Sequence, residues 1–393
     1  MPRPLHRTVR SLGLVSLLTD ASSEMIYPLL PAFLTGPLRA GPAFLGVVEG
    51  LAETVAAVLK VLSGGVSDRL RRRKPLVVAG YSLSSVVRPL VALATVPAHV
   101  LAVRVVDRVG KGVRSAPRDA LLAEVVPRED RGRAFGFQRA MDHAGAVVGP
   151  LLASAALLAT NDVRGVFALA AIPAALAVAT LVLGVREEPR RPAPLPESAS
   201  TGSGPLEPAL VRYLGVLAVF TLGNSSDAFL LLRAQEAGVG VAAIPALWAL
   251  HHLVKAAASA WGGALSDRVG RRRVILGGWG VYALAYAGFA AASSSLAVVA
   301  LFAFYGLYHA LTEGAERALV ADLAGQTTSG RAFGLFHAVT GAALLPASLL
   351  TGVLWQRFGA PVALGTGAAL AALAALGLLA LVPAPASAVH RPS

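Results

Sequence analysis

Long apolar runs separated by short polar turns set the pattern of this chain. The stretches 75–103, 145–160, 165–185, 213–223, 274–308 and 361–382 are predominantly Ala, Val, Leu and Gly. About 20 apolar residues carry a helix across a hydrocarbon core of roughly 30 Å. The pattern predicts twelve such helices, at 11–34, 43–66, 75–94, 99–126, 134–158, 165–185, 213–232, 243–265, 274–292, 297–322, 332–356 and 361–382. The expected fold class is therefore an all-α integral membrane protein with twelve transmembrane helices. The start of the chain runs from basic residues into an apolar stretch interrupted by Asp20 and Glu24, which reads as the first span rather than a cleaved signal.

Polar positions then set sidedness. With the N-terminus inside, the clusters Arg3, Arg7 and Arg10, Arg71–Lys74, Arg128, Arg131 and Arg133, Arg190 and Arg191, Arg271–Arg273, and Arg391 all fall in cytoplasmic segments. Outside loops hold Arg39, Arg164, Arg233 and Arg357. Positive charge concentrates on the cytoplasmic side of membrane proteins, so both termini are expected there. The same bias accounts for the net charge of +13 without invoking nucleic acid. Composition agrees: 55% of residues are hydrophobic and 15% charged, against about 25% charged in soluble domains. No cysteine is present, which excludes disulfides, thiolate metal sites and cysteine nucleophiles.

The stretch 186–211 is rich in Pro, Ser, Gly and Glu and reads as a flexible cytoplasmic linker between six-helix bundles at 1–185 and 212–393. The bundles share sequence. "GGVSDRLRRRK" at 64–74 returns as "GGALSDRVGRRR" at 262–273, "RDALLAEVVPREDRGRAFGF" at 118–137 as "ERALVADLAGQTTSGRAFGL" at 316–335, and "SSE" at 22–24 as "SSD" at 225–227. Two six-helix pseudo-repeats with a solute site between them are a plan of secondary transporters.

The first of these motifs resembles the signature that follows the second helix in the major facilitator superfamily, with Gly64, Val66, Asp68, Arg69, Arg72 and Arg73 in its positions. Arg71 stands where that family usually has Gly, while the second copy matches throughout at Gly263, Asp267, Arg268, Gly270 and Arg271. The resemblance implies a cytoplasmic latch that breaks as the halves rock, with Glu124 and Asp322 as its acidic partners. In the fifth span, Gly136, Gly145, Gly149 and Pro150 resemble the glycine–proline signature of the family's antiporters, although Leu151–Ser154 replace the glycines that usually follow. That likeness implies export. Small residues also serve close helix packing in membranes generally.

The fourth span is the most charged. On a helical wheel Arg104, Asp107, Arg108, Lys111, Arg114, Ser115 and Arg118 share one face. Intramembrane charges face a bundle interior or a watery cavity, so this face is expected to line one. The resemblance implies that spans 1, 4, 7 and 10 line the central pathway. Span 1 offers Asp20, Ser23, Glu24 and Tyr27; span 7 offers Asn224 and Asp227; span 10 offers Tyr305, His309, Thr312, Glu313 and Glu316, with Arg317 nearby. Candidates for proton coupling are Asp20, Glu24, Asp227, Glu313 and Glu316. Candidates for solute binding are Tyr27, Arg104, Asp107, Arg108, Lys111, Arg114, Arg118, Asn224 and His309. Mutual neutralisation of the span-4 cations by Asp107, Asp20, Glu24, Glu313 and Glu316 is the structural alternative. Glu49 and Glu53 on span 2, and His251, His252 and Lys255 on span 8, suit either a pathway role or interhelical hydrogen bonds. Asp142 and His143 could relay protons or pair with Arg139.

No metal ligand set and no cofactor is assigned; His309, Glu313 and Asp20 would hold a divalent ion only if they converge. Nucleophile-elbow, zinc-helix and phosphate-loop motifs are missing, so an enzyme is not expected. The expectation is a monomeric carrier in the cytoplasmic (inner) membrane, exporting a small organic solute by proton antiport. Uptake or exchange of a small organic anion is the alternative, with a metal or metal-chelate transporter and a non-transporting receptor behind it.

Overall fold

The computed structural model describes residues 5–70, 72–127, 130–187 and 206–383, without the side chains of residues 69, 260 and 325–330. Arg3, Arg71, Arg128, Arg190, Arg191, Arg391 and most of the predicted linker lie outside the described residues, as does the Arg69 side chain. Among the described residues every regular element is helical. The predicted spans match these helices to within a few residues at each end.

In the first half, α1 (Arg7–Ile26) passes through a 3-10 turn at Tyr27–Leu29 into α2 (Leu30–Thr35). Pro28 and Pro31 remove two backbone donors and tighten the chain there. Next come α3 (Pro42–Arg69), α4 (Lys74–Val87), α5 (Pro97–Glu124), α6 (Arg131–Thr160), α7 (Val163–Leu169) and α8 (Ala171–Gly184). A 3-10 segment, Arg88–Leu93, completes the third span after α4, where Pro89 interrupts the α-helical ladder. The second half holds α9 (Pro208–Gly223), α10 (Ala228–Glu236), α11 (Ile244–Val269), α12 (Arg271–Ala291), α13 (Ser295–Phe358) and α14 (Ala360–Leu381). Among the described residues, eight helical stretches are long and apolar enough to cross a membrane by length and composition.

Two features depart from expectation. The seventh span is broken, because residues 224–227 are not helical. "NSSD" places four short polar side chains in a row, each able to compete for backbone hydrogen bonds. Spans ten and eleven, expected to be joined by a loop, form one 64-residue helical run. A straight helix of that length would measure about 96 Å, yet both of its ends meet α10. Arg233 bonds the carbonyls of Phe289 and Ala292 just before the start of α13, and Glu236 accepts from the Trp355 indole near its end. The run therefore doubles back between its span-length pieces Ser295–Ala324 and Arg331–Phe358.

Within the first half α1 packs on α6 and α8, and α5 on α3 and α4; within the second, α12 packs on α13 and α14, and α9 on the same two. The halves meet along α3–α13, α6–α11 and α2–α10. The α1–α6 contact depends on glycine: a Cβ on Gly145 would stand 2.4 Å from the Leu17 carbonyl oxygen, and one on Gly149 2.3 Å from that of Ala21. Gly136 has nothing within 4 Å of such a Cβ, so it takes no part in that approach. The larger apolar core runs through both halves, whereas a smaller one, around Val9, Val77, Tyr81 and Leu121, belongs to the first half alone.

Candidate functional site

The charged face of α5 is buried, and its partners come from inside its own half. Arg104 bonds both oxygens of Glu49, at 2.8 and 3.0 Å, with its guanidinium 5.4 Å from the Tyr27 ring centre. Arg108 reaches Glu53 at 2.8 Å and Asp107 at 3.1 Å. Asp107 is 1% exposed and also takes Arg88 at 3.0 Å. Arg88 in turn donates to the Thr19 carbonyl and the Ser22 hydroxyl of α1, so one guanidinium ties three elements together. Arg114 lies over the Tyr81 ring at 4.4 Å and donates to Ser84 at 2.7 Å, and Arg118 pairs with Asp119 at 2.9 Å. Neutralisation does occur: Asp107 takes part as expected, but Glu49 and Glu53 of α3 stand in for Asp20, Glu24, Glu313 and Glu316. An unpaired charge in a low-dielectric interior is strongly destabilising, which makes these arginines part of the scaffold. Lys111 alone on that face is exposed, with no hydrogen-bond or ion-pair partner among the described residues.

The expected face of α1 is present. Asp20, Ser23, Glu24 and Tyr27 are half-buried while the residues around them are largely buried. Glu24 and Tyr27 look onto the seam between the halves. Glu24 accepts a 2.7 Å hydrogen bond from the Trp248 indole of α11, and the Tyr27 ring sits 5.4 Å from that of Trp248. Across the same seam lies the break in span 7. Ser226 shares a 3.3 Å hydrogen bond with the Tyr27 hydroxyl and donates to Glu49 at 3.3 Å. Asn224 donates to Tyr308 at 3.1 Å, and Asp227 accepts from Tyr305 at 2.7 Å. Irregular backbone at membrane depth is tolerated where it lines a cavity or is buried in protein, and interrupted spans mark binding sites in secondary transporters.

Span 10 divides its polar residues among different tasks. His309 lies beside Tyr305 and Tyr308. Glu313 pairs across the seam with Arg139 of α6, and within its half with Lys255 at 3.5 Å and Arg317 at 3.7 Å. Arg139 thus turns to Glu313 rather than to Asp142. Glu316 faces into its own half and accepts from Trp279 at 3.0 Å. Neither Glu313 nor Asp20 joins His309; that histidine converges instead with Asp227 and His251.

At the end carrying the basic loops, the latch arginine is Arg73, not Arg72. Arg73 is 5% exposed and bonds Asp68 at 3.0 Å and Glu124 at 3.2 Å, with Ser67 at 2.9 Å. The Glu187 carboxylate, inside the predicted flexible linker, binds the backbone N–H of Arg73 and Lys74 and so caps α4. In the second half Arg271, the repeat mate of Arg72, pairs with Asp322, the repeat mate of Glu124, at 2.9 Å. Asp267 and Arg268 are exposed, with no ion pair among the described residues. Gly64 and Gly263 make no tight approach; Gly262 does, its Cβ position falling 2.0 Å from the Ala310 carbonyl oxygen. Each of these ion pairs joins residues of a single half. Hydrogen bonds that join the halves include Ala43 to Gln356, Ser154 to Ala242 and Ala246, Glu24 to Trp248, Tyr27 to Ser226, Ser226 to Glu49, and Arg139 to Glu313.

Arg88, Trp248 and Ser226 are absent from the sequence-derived site. Arg88 could have been found as a lone cation in an apolar span. Ser226 is marked only by its place in the "SSD" repeat, and Trp248 carries no charge and no spacing that marks it.

The comparisons with known proteins agree with this architecture. The family model described as Major Facilitator Superfamily matches residues 12–250 and 213–393. The uncharacterized MFS-type transporter MJ1317 of Methanocaldococcus jannaschii is 38% identical over 361 residues, 90% of each chain. The multidrug resistance protein MdtH of Photorhabdus laumondii is 31% identical over 175 residues, 42% of this chain and 43% of its own. Among solved structures, the nucleoside transporter NupG superposes with a TM-score of 0.82 at 13% identity, covering 96% of this chain and all of that one. The chain belongs to the Major Facilitator Superfamily.

Proposed function

We propose that the protein exports a small organic solute across the cytoplasmic membrane in exchange for protons, by alternating access. The observation that carries this reading is the seam where the broken seventh span meets α1. Two kinds of carboxylate lie there. Glu49, Glu53 and Asp107 are held by arginines. Glu24 and Asp227 are held by neutral donors, an indole and a phenol, and Asp20 has no hydrogen-bond partner among the described residues. A carboxylate on a neutral donor can take up a proton without stranding a buried cation, so these three suit coupling and the arginine-bound ones do not. Glu313, shared among three cations, suits a gate that opens as the halves rock. Drug-export names among partial relatives, and a nucleoside carrier among fold neighbours, support small organic solutes as the class. Lys111, exposed and unpaired, suits an anionic group on the solute; uptake or exchange of an organic anion is the second reading.

The test uses proteoliposomes with a trapped pH dye and a solute panel containing cations, neutral nucleoside-like compounds and carboxylates. Solute addition is expected to move protons in the wild type. Glu24→Gln and Asp227→Asn should reduce that proton movement at least tenfold while retaining solute counterflow. Proton movement unchanged in both variants would assign coupling elsewhere, and movement of protons by no solute in the wild type would remove the antiport reading.

A further inference from the structure

Asp227, His251 and His309 each offer one ligand atom within 4.8 Å of the other two. The three residues come from the span-7 break, from α11 and from α13. Their surroundings orient them in the manner of metal ligands. His251 is 1% exposed, and its ring stacks on Trp248 at 5.1 Å and on Tyr305 at 5.2 Å. Its Nδ1 lies 3.3 Å from the Phe302 carbonyl oxygen, which can only accept. The proton therefore sits on Nδ1, and Nε2 keeps its lone pair. Asp227 binds the Tyr305 hydroxyl through Oδ1, leaving Oδ2. Ligating imidazoles and carboxylates in metal sites are held by outer hydrogen bonds of this kind.

The third member supplies an independent observation. The Nε2 atom of His309 is buried without a hydrogen-bond partner among the described residues, as are both ring nitrogens of His252, whose ring meets that of His251. Buried polar atoms are normally satisfied, and leaving one bare costs about 1–3 kcal/mol. Lys255, one turn along α11, would oppose a cation, but its ammonium is drawn to Glu313 at 3.5 Å. A metal–nitrogen bond measures about 2.0–2.1 Å, so ligands around one ion stand roughly 3.3–4.2 Å apart and small side-chain movements close the set.

We propose that Asp227, His251 and His309 form a binding site for a divalent transition-metal ion of the cobalt–nickel–zinc kind. Two imidazoles and one carboxylate suit these borderline ions; magnesium and calcium prefer oxygen alone. Three protein ligands leave positions open for water or for a donor atom on a solute. The site lies next to the Glu24–Trp248 contact, on the wall of the seam. It goes beyond the antiport reading and does not depend on it.

The experiment titrates tag-free, metal-free full-length protein in detergent with Co2+, followed by Zn2+. Visible d–d bands saturating at one Co2+ per chain and abolished by Zn2+ are expected. His251→Gln/His309→Gln and Asp227→Asn should each weaken Co2+ binding at least tenfold, whereas His99→Gln/His337→Gln should leave it unchanged. The wild type alone gives a second reading, since X-ray absorption of the zinc form should show two imidazoles and oxygen neighbours. No Co2+ bands, bands undiminished in the His251/His309 variant, bands lost in the His99/His337 variant, or a zinc shell of oxygen alone would each overturn the site. Solute flux is not measured, so failure here leaves the antiport reading untouched.

Discussion

Arg104 and Lys111 lie on the same face of α5, two turns apart, and do different work. Arg104 is clamped by Glu49, which is 1% exposed; Lys111 is exposed and unclaimed. Replacing Arg104 by Gln strands the Glu49 charge, and breaking such a pair from one side costs about 3–5 kcal/mol. The expected outcome is a sharp loss of thermal stability in detergent for Arg104→Gln, largely recovered in Glu49→Gln/Arg104→Gln. Arg104→Gln that stays as stable as wild type and loses solute affinity would return this arginine to the binding site. Lys111→Gln should leave stability unchanged. The charged face itself is legible in the sequence, because the helical period collects it. The partner is not: Glu49 lies 55 positions away, and pairing across that distance depends on how α3 and α5 settle against each other. Asp20, Glu24 and Tyr27 are legible for the same periodic reason, and Trp248 opposite them is hidden by the same lack of a local signal.

Helices fare better than contacts, since length and apolarity are local properties. The predicted span 134–158 became α6 (Arg131–Thr160), and 361–382 became α14 (Ala360–Leu381). What went unread is where a helix gives way. The "NSSD" break in span 7 has no proline, and its polar run competes with the helix only because neighbours are there to receive its backbone and side chains. The glycine signature of α6 also resolves into unequal parts. At Gly149 a methyl group would meet the Ala21 backbone at 2.3 Å, while at Gly136 it would meet nothing. Gly149→Ala should therefore destabilise by about 1–3 kcal/mol through overpacking. Gly136→Ala should be neutral or stabilise by about 0.5–1 kcal/mol through helix propensity. Unfolding in mixed micelles compares the two, and equal effects would remove the α1–α6 approach as the reason for the glycines.

Across the whole molecule the two halves differ in how they are held. The first is pinned by buried ion pairs, the second by rings: Tyr282, Tyr286, Tyr305, Tyr308 and Trp279 pack around Phe220 and one another. The halves touch where α3 crosses the second limb of α13. A Cβ on Gly341 would stand 3.3 Å from that of Ala57, close to disulfide geometry. Since the chain has no cysteine, Ala57→Cys/Gly341→Cys can be read without background. Mild oxidation is expected to cross-link the pair and stop solute flux, with recovery on reduction. A cross-link that leaves flux intact would mean that this crossing does not open during the cycle.

The ion-pair scaffold of the first half has an electrical consequence. Arg88, Arg104 and Arg108 are matched by Glu49, Glu53 and Asp107, three guanidinium groups against three carboxylates, so the cluster moves as a neutral body. Moving net charge through the membrane voltage involves about 2.3 kcal/mol per elementary charge per 100 mV. Rocking of this cluster takes up none of that work, and its contribution to a transport current is close to zero. Current accompanying turnover then belongs to the proton, to the solute and to the few groups left unbalanced, Lys111 foremost. In a carrier built this way, the reversal potential reports the stoichiometry of exchange with little correction for the protein's own moving charge.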